Sequence, residues 1–290
     1  MARTIKVSLG VFAHNEEKNI SKVLNSILKQ KTEIAQITEV WVVSSGSHDK
    51  TNRIIRQFSK KDKRIKLMEQ FSRIGKTSAV NTFIRRAKSS VLVIISADLR
   101  LHTHAIEEII TPFLHANIGM VGAHAIPTNI ASNPIGQQVR LLWKLHHLVS
   151  LQNPKCGEMV AFRKVIRLIP KRFFDEATLE VLLKLIGYKV IYAPRAIVYN
   201  KGPRSTREFI RQQRRNYVGH QWIQKHYNYQ VATMDTTKIG PLIINYLLTN
   251  PRDFVPMIYL LLLQFVSRTL GWFDYYIFGK NPFVWKMVSR

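Results

Sequence analysis

Short apolar runs and amphipathic segments take turns along the chain as far as Ala125. IKVSLGVF (Ile5–Phe12) is nearly continuous in apolar residues and predicts a strand. EEKNISKVLNSILKQ follows, with Ile20, Val23, Leu24, Ile27 and Leu28 on one helical face. ITEVWVVS (Ile37–Ser44) predicts a second strand, and DKTNRIIRQFSK a helix that gathers Ile54, Ile55 and Phe58. RIKLMEQ, KTSAVNTFIRRAKSS, VLVIIS, HAIEEIITPFLH and IGMVGAHA continue the series as strand, helix, strand, helix and strand. Repeated strand–helix units with solidly apolar strands predict a mostly parallel sheet covered on both faces. In such sheets ligands bind beyond the carboxyl ends of the strands.

The second half is less regular. IGQQVRLLWKLHHLVSL predicts a helix, GEMVAFRK a strand, DEATLEVLLKLIGYK a helix that stops at Gly187, and KVIYAP a strand. A long helix, STREFIRQQRRNYVGHQWIQKHY, comes next. Near the end, Phe254–Gly279 is rich in Leu, Phe, Tyr and Trp, but its uninterrupted core, Val255–Leu263, stops at Gln264. A membrane-crossing helix needs about 20 apolar residues. An amphipathic, re-entrant or interfacial helix fits better, and a helix packed on the sheet domain is the alternative.

Composition narrows this picture. Lys and Arg total 44 against 18 Asp and Glu, a formal charge of +26. That field favours polyanions: nucleic acid, an anionic membrane face, or phosphate-bearing substrates. Cys156 is the single cysteine, which excludes a disulfide framework or a cysteine zinc site within one chain. The N-terminus enters the first strand directly, so no signal peptide is expected. The basic residues are scattered, with KKDKRIK as the densest cluster, and no RRM, KH, zinc-finger or helix-turn-helix pattern occurs. A nucleic-acid partner is therefore not expected. A nucleotidyltransferase would carry a Gly-rich segment after the first strand, where FAHNEEKN stands.

The predicted strand ends carry VFAHNEE, VVSSGSHDKT, RIGKTSAVN and VIISADL, in that order. Together these resemble the family 2 glycosyltransferases of the inverting GT-A fold, from about Val7 to His220. The resemblance implies an α/β fold: a Rossmann-like, mostly parallel sheet flanked by helices over residues 1–228, with a helical and possibly membrane-associated extension over 229–290. It implies transfer of a sugar from a UDP- or GDP-sugar to a lipid-linked or membrane-proximal glycan acceptor. Mg2+ or Mn2+ would assist, at the cytoplasmic face of an anionic membrane, with the protein peripheral or monotopic.

The resemblance also implies roles for residues. Ala13, His14, Asn15 and Glu16 border the nucleoside, although Glu16 and Glu17 equally suit the first turn of a helix. Ser44 and Ser45 stand where two aspartates are usual, so Ser45 offers the base a neutral hydrogen bond only. Asp49 reads as structural, with Thr51, at a helix start. Gly75 and Lys76 lie near the diphosphate, and Asn81 braces the loop. This is no P-loop, because the GxxxxGK[ST] spacing is missing. Ser96, Ala97 and Asp98 occupy the place of an acidic metal-binding motif. Its last acid, Asp98, is the expected metal ligand, with a helix cap as the alternative. A magnesium site often needs only one or two carboxylates beside phosphate and water. His102 and His104 are expected at the surface or behind the site. Asp175 and Glu176 together are the candidate bases that deprotonate the acceptor. Gly157, Glu158 and Met159 border the acceptor, Glu158 being a further acid. Gln212, Arg214 and Arg215 resemble a diphosphate- and acceptor-binding element in which Asn216 replaces the usual Trp, which argues against a processive polymerase.

Overall fold

The computed structural model describes residues 4–73, 75–170 and 175–280, with Asp175 described by its backbone alone. The chain forms two compact units, each from two segments: Met1–Ala125 with Cys156–Asn200, and Ile126–Lys155 with Lys201–Arg290.

The first unit is built on a sheet. Its strands are β1 (Ile5–Ala13), β2 (Ala35–Ser45), β3 (Ile65–Gln70), β4 (Val91–Ser96), β5 (Arg100–Leu101), β6 (Ile118–Pro127), β7 (Met159–Arg163) and β8 (Lys189–Asn200). Among the described residues their order is β3-β2-β1-β4-β7-β6-β8-β5. The expected parallel sheet is the β3-β2-β1-β4 part. Beyond β4 the sheet turns antiparallel: β7 runs against β4 and β6, and β5 against β8. The reason is topological, since β7 follows an excursion into the other unit rather than a crossover helix.

Helices α1 (Ile20–Leu28), α2 (Thr51–Lys61), α3 (Lys76–Arg86), α4 (Ala105–Ile110) and α6 (Asp175–Leu185) belong to this unit, while α5 (Pro134–Gln152) lies in the other. Val7, Leu9 and Val11 of β1 and Val91–Ile95 of β4 are buried on both faces, as central parallel strands require. One core gathers Val80, Phe83 and Ile84 of α3, Leu92 and Ile94 of β4, Val160 and Phe162 of β7, and Leu179 and Leu183 of α6. Each such side chain contributes about 1.5–3 kcal/mol by burial. Two boundaries depart from expectation. Pro112 ends α4 early in a 3-10 turn, Thr111–Leu114. β8 runs on past Pro194 to Asn200, and its far half pairs with the two-residue β5.

The second unit is helical: α5, α7 (Thr206–Tyr227), α8 (Thr236–Thr249) and α9 (Phe254–Trp272), the last continuing as a wide π turn, Phe273–Ile277. Ile135, Val139, Leu141 and Leu145 of α5, Phe209 of α7, Tyr246 of α8, and Met257, Leu260 and Leu263 of α9 form its core. Gly271 allows the close approach of α9 to α7, because a Cβ there would lie 2.8 Å from the Tyr217 ring and 3.1 Å from the Arg214 carbonyl. The units do not follow the expected 1–228 and 229–290 segments, because α5 and α7 pack with α8 and α9.

Candidate active site

Strand register shows which loops share an edge. Ala13 is level with Ser44, Phe12 with Ser96, and Ser45 with Gln70. These are the carboxyl ends of β1, β2, β3 and β4. Antiparallel β7 starts at the same edge, with Met159 level with Ile95. The loops carrying His14–Glu16, Ser45–Asp49, Gly75–Lys76, Ala97–Asp98 and Gly157–Glu158 therefore emerge on one rim.

The first two loops are laced together. Asn15 has a left-handed backbone (φ 54°). Its N–H donates to Ser47 Oγ (3.1 Å), and its Oδ1 accepts from His48 N–H (2.9 Å). Glu16 N–H donates to Thr51 Oγ1 (2.8 Å), and Glu17 N–H to Asp49 (3.0 Å). The Glu17 carboxylate accepts in return from Lys50 N–H (3.1 Å). Because these N–H groups bond across the loops, α1 starts at Ile20 rather than at Glu17. Burial acts to raise the Asp49 carboxyl, but hydrogen bonds from Thr51 and Glu17 outweigh it and hold it below its ordinary range. His14 Nδ1 donates to the Ser45 carbonyl (2.7 Å), which fixes the ring's tautomer. Gly46 makes the turn with φ 62°, where a Cβ would lie 2.9 Å from Arg73 N. Ser45 is buried, and its hydroxyl faces the Ser72 carbonyl at 3.5 Å.

The third loop leads into α3. Lys76, its first residue, reaches Glu176 Oε1 at 2.5 Å. Five residues on, Asn81 makes a two-way bond with the Ile169 backbone, donating to its carbonyl (2.9 Å) and accepting from its N–H (2.8 Å). One helix thus grips the chain on both sides of the segment 171–174, which precedes α6. Glu176 is 5% exposed in the first turn of α6. The side chain of Asp175 lies outside the described residues. Sequence reasoning named Lys76 and Glu176 for separate tasks, and no local pattern announces their meeting across 100 positions.

Asp98 sits in the tight turn between β4 and β5, half-buried. Helix α4 starts only at Ala105, so Asp98 caps no helix. His102 and His104 are exposed, with rings 6.2 Å apart. Across the rim, Glu158 adopts a left-handed backbone (φ 60°), Gly157 accepts a bond from Met159 N–H (2.7 Å), and Met159 is fully buried. No group of three or more His, Cys, Asp or Glu able to hold a metal forms among the described residues. An Asp98 oxygen just past the carboxyl end of a parallel strand still fits a hard cation that would draw its other ligands from phosphate and water. Cys156 is packing: its thiol lies against Gly122, and burial pushes it well above the usual range.

Gln212, Arg214 and Arg215 lie on α7, in the helical unit. Arg214 forks onto both oxygens of Asp274, a fully buried carboxylate that also meets Lys280 at 2.7 Å.

This is the architecture of the GT-A glycosyltransferases. The mannosyltransferase PcManGT from Pyrobaculum calidifontis, solved in complex with GDP-Man and Mn2+, superposes with a TM-score of 0.64 at 17% identity, over 92% of this chain and 73% of that one. Residues 8–170, more than half of the chain, match Glycosyl transferase family 2, and the chain belongs to that family. Among its relatives, glycosyltransferase AglE of Haloferax volcanii is 29% identical over 41% of this chain. The beta-monoglucosyldiacylglycerol synthase of Trichormus variabilis is 24% identical over 44%. The matched parts make up only 38% and 27% of those two proteins.

Proposed function

We propose that this chain transfers a hexosyl group, with inversion, from a nucleoside-diphosphate sugar to a lipid-linked or membrane-proximal glycan acceptor. The observation that carries the reading is the contact of Lys76 with Glu176 on the rim that also bears the Asp98 turn. Asn15, Glu16 and the buried Ser45 border the base and ribose. Gly75 and Lys76 flank the diphosphate, with Ser96 and Ala97 forming the floor before Asp98. Gly157, Glu158 and Met159 face the acceptor. The acceptor oxygen attacks the anomeric carbon, the bond to the diphosphate breaks, and its electron pair leaves with the nucleoside diphosphate. Glu176, or Asp175 beside it, takes the acceptor proton. Lys76 holds the Glu176 carboxylate in place. A divalent cation, Mg2+ or Mn2+, held by Asp98 would offset charge building on the leaving diphosphate. PcManGT in complex with GDP-Man and Mn2+ supports both donor class and metal. In the helical unit, Gln212 and Arg215 are the candidates for phosphate, while Arg214 braces Asp274.

The lipid part of the reading rests on α8 and α9. Pro251–Ile277 is long and apolar enough to cross a membrane by length and composition. One face, with Met257, Leu260, Leu263, Ser267, Gly271 and Asp274, is buried. The opposite face leaves Val255, Ile258, Leu262, Phe265 and Trp272 exposed, and α8 adds Ile244 and Leu248. A helix already packed along one side suits the membrane interface better than a span. The +26 charge favours an anionic, cytoplasmic leaflet. A relative named for a glucosyldiacylglycerol supports a lipid acceptor.

The test is calorimetric titration of UDP and GDP, with and without Mn2+ or Mg2+, into wild type and Asp98→Ala. Metal-dependent binding lost in the variant is expected. Binding indifferent to both metal and Asp98 would overturn the donor site.

A further inference from the structure

His14 follows β1 directly at the rim, and its ring is half-buried. Its Nδ1 lies 2.7 Å from the Ser45 carbonyl oxygen. A carbonyl only accepts, so Nδ1 carries the hydrogen, and Nε2 of the neutral ring is left with a lone pair. Nε2 has no partner among the described residues. The ring is held by the sheet itself. Ala13, the residue before it, is level with Ser44, and Gly46 N–H, just past Ser45, donates to the Gln70 carbonyl (2.9 Å). The carbonyl that grips Nδ1 is thus fixed from both sides.

The other acceptors of these two loops are engaged with one another. Ser45, expected to offer the base a hydroxyl, is 8% exposed, and that hydroxyl faces the Ser72 carbonyl at 3.5 Å. Ser44 Oγ donates to Ser47 Oγ (2.8 Å), which also accepts from Asn15 N–H. Asn15 Oδ1 accepts from His48 N–H, and Asp49 from Thr51 and Glu17. Glu16 Oε2 takes the Asn19 amide (2.9 Å). A flat heterocycle entering this corner therefore meets an imidazole lone pair, already oriented, rather than a serine hydroxyl.

We propose that His14 Nε2 reads the nucleobase of the donor by accepting a hydrogen bond from a ring N–H. This rests on the nucleoside-diphosphate-sugar reading above and narrows it. Uracil presents N3–H and guanine N1–H. At the matching positions cytosine and adenine carry a lone pair, which would oppose that of Nε2. The chain thus selects lactam bases, and it does so from the end of β1, while the Ser44–Ser45 turn serves to aim the imidazole.

The test is calorimetric titration of the full chain with Mn2+. The probes are UDP against CDP and 3-methyl-UDP, and GDP against ADP and 1-methyl-GDP. CDP and ADP lack the ring N–H without added bulk, and the methylated forms lack it while keeping the neighbouring carbonyl. Wild type is expected to bind UDP or GDP about tenfold or more tightly than both of its altered forms, the scale of an acceptor left unpaired. His14→Asn keeps an amide donor for the Ser45 carbonyl but places nothing at Nε2. It is expected to melt near wild type and to bind the preferred nucleotide and its altered forms alike. His14→Gln, which brings an amide oxygen toward the Nε2 position, is expected to restore part of the preference. A preference that survives in His14→Asn overturns the role of His14 and leaves the donor site standing. So does wild type that binds UDP or GDP no better than the altered forms. Binding of no nucleoside diphosphate overturns the donor site, and the base reading with it.

Discussion

Replacing Glu176 by Gln and Lys76 by Met separates the two things their contact does. The Glu176 side chain is 7% exposed and that of Lys76 is 40% exposed. Breaking a fully buried pair costs about 3–5 kcal/mol, and an exposed one is worth about 0.2–1 kcal/mol. With one partner buried and one washed by solvent, Lys76→Met falls between, at roughly 1–3 kcal/mol. For a chain of this size that is about 2–12 °C of melting temperature, at about 2–4 °C per kcal/mol. Glu176→Gln keeps a carbonyl oxygen for Lys76 to meet but removes the proton acceptor. A general base contributes about 10²–10⁴ in rate, or roughly 2.7–5.5 kcal/mol of barrier. Transfer of labelled hexose from UDP- and GDP-sugars, with kcat and KM resolved, is the assay, beside thermal melts. The expected pattern is crossed. Glu176→Gln loses kcat with its melting temperature nearly kept, and Lys76→Met loses stability and raises donor KM. If Glu176→Gln keeps kcat within about threefold, Glu176 is not the base. If activity and melting fall in step in both variants, the contact is structural only.

Three other outcomes are expected. Leu262→Glu with Phe265→Glu should abolish flotation with anionic liposomes while leaving the melting temperature unchanged; equal flotation would remove the interfacial reading. Burial acts to raise the Asp274 carboxyl, but hydrogen bonds and charges from Arg214 and Lys280 outweigh it and hold it below its ordinary range. Its contribution is therefore present above the unfolded value of about 3.9 and lost as pH falls through the lower folded one. Asp274→Asn should flatten the acid side of the melting curve and cost roughly 3–5 kcal/mol at neutral pH. Gly271→Ala should cost about 1–3 kcal/mol by pushing α9 off α7, measured by urea unfolding.

The first four strands were legible because each is a solid apolar run with a polar end, and that pattern follows directly from burial on both faces. The rim followed with them, since parallel strands put all their carboxyl ends on one edge. β5 was not legible: two residues, Arg100 and Leu101, carry no periodicity and exist as a strand only because β8 passes beside them. The start of α1 was misjudged because Glu16 and Glu17 suit a helix locally, and what holds them out of it is thirty-odd residues away, at Asp49 and Thr51. Arg214 shows the same limit. The family resemblance implies a phosphate role for it, and nothing local in the sequence announces its bond to Asp274, 60 positions downstream. Asn81 is expected to brace the Gly75–Lys76 loop, but its amide bonds the backbone of Ile169, 88 positions away, a partner with no signal in the sequence.

The interleaving of the two units has a consequence for synthesis on the ribosome. α5 is made before β7, α6 and β8, yet the core that takes in Leu141 and Leu145 also needs Tyr246 of α8 and Met257, Leu260 and Leu263 of α9. About 115 residues separate Leu145 from Leu260, so at about 5–20 residues per second the apolar side of α5 waits roughly 6–23 s for its cover. The sheet unit can close during that interval, because its last strand ends at Asn200. The nascent chain is then a finished sheet unit carrying an uncovered amphipathic helix. A chaperone or a nearby bilayer that shields α5 at that stage would decide how much of the protein completes the helical unit rather than aggregating.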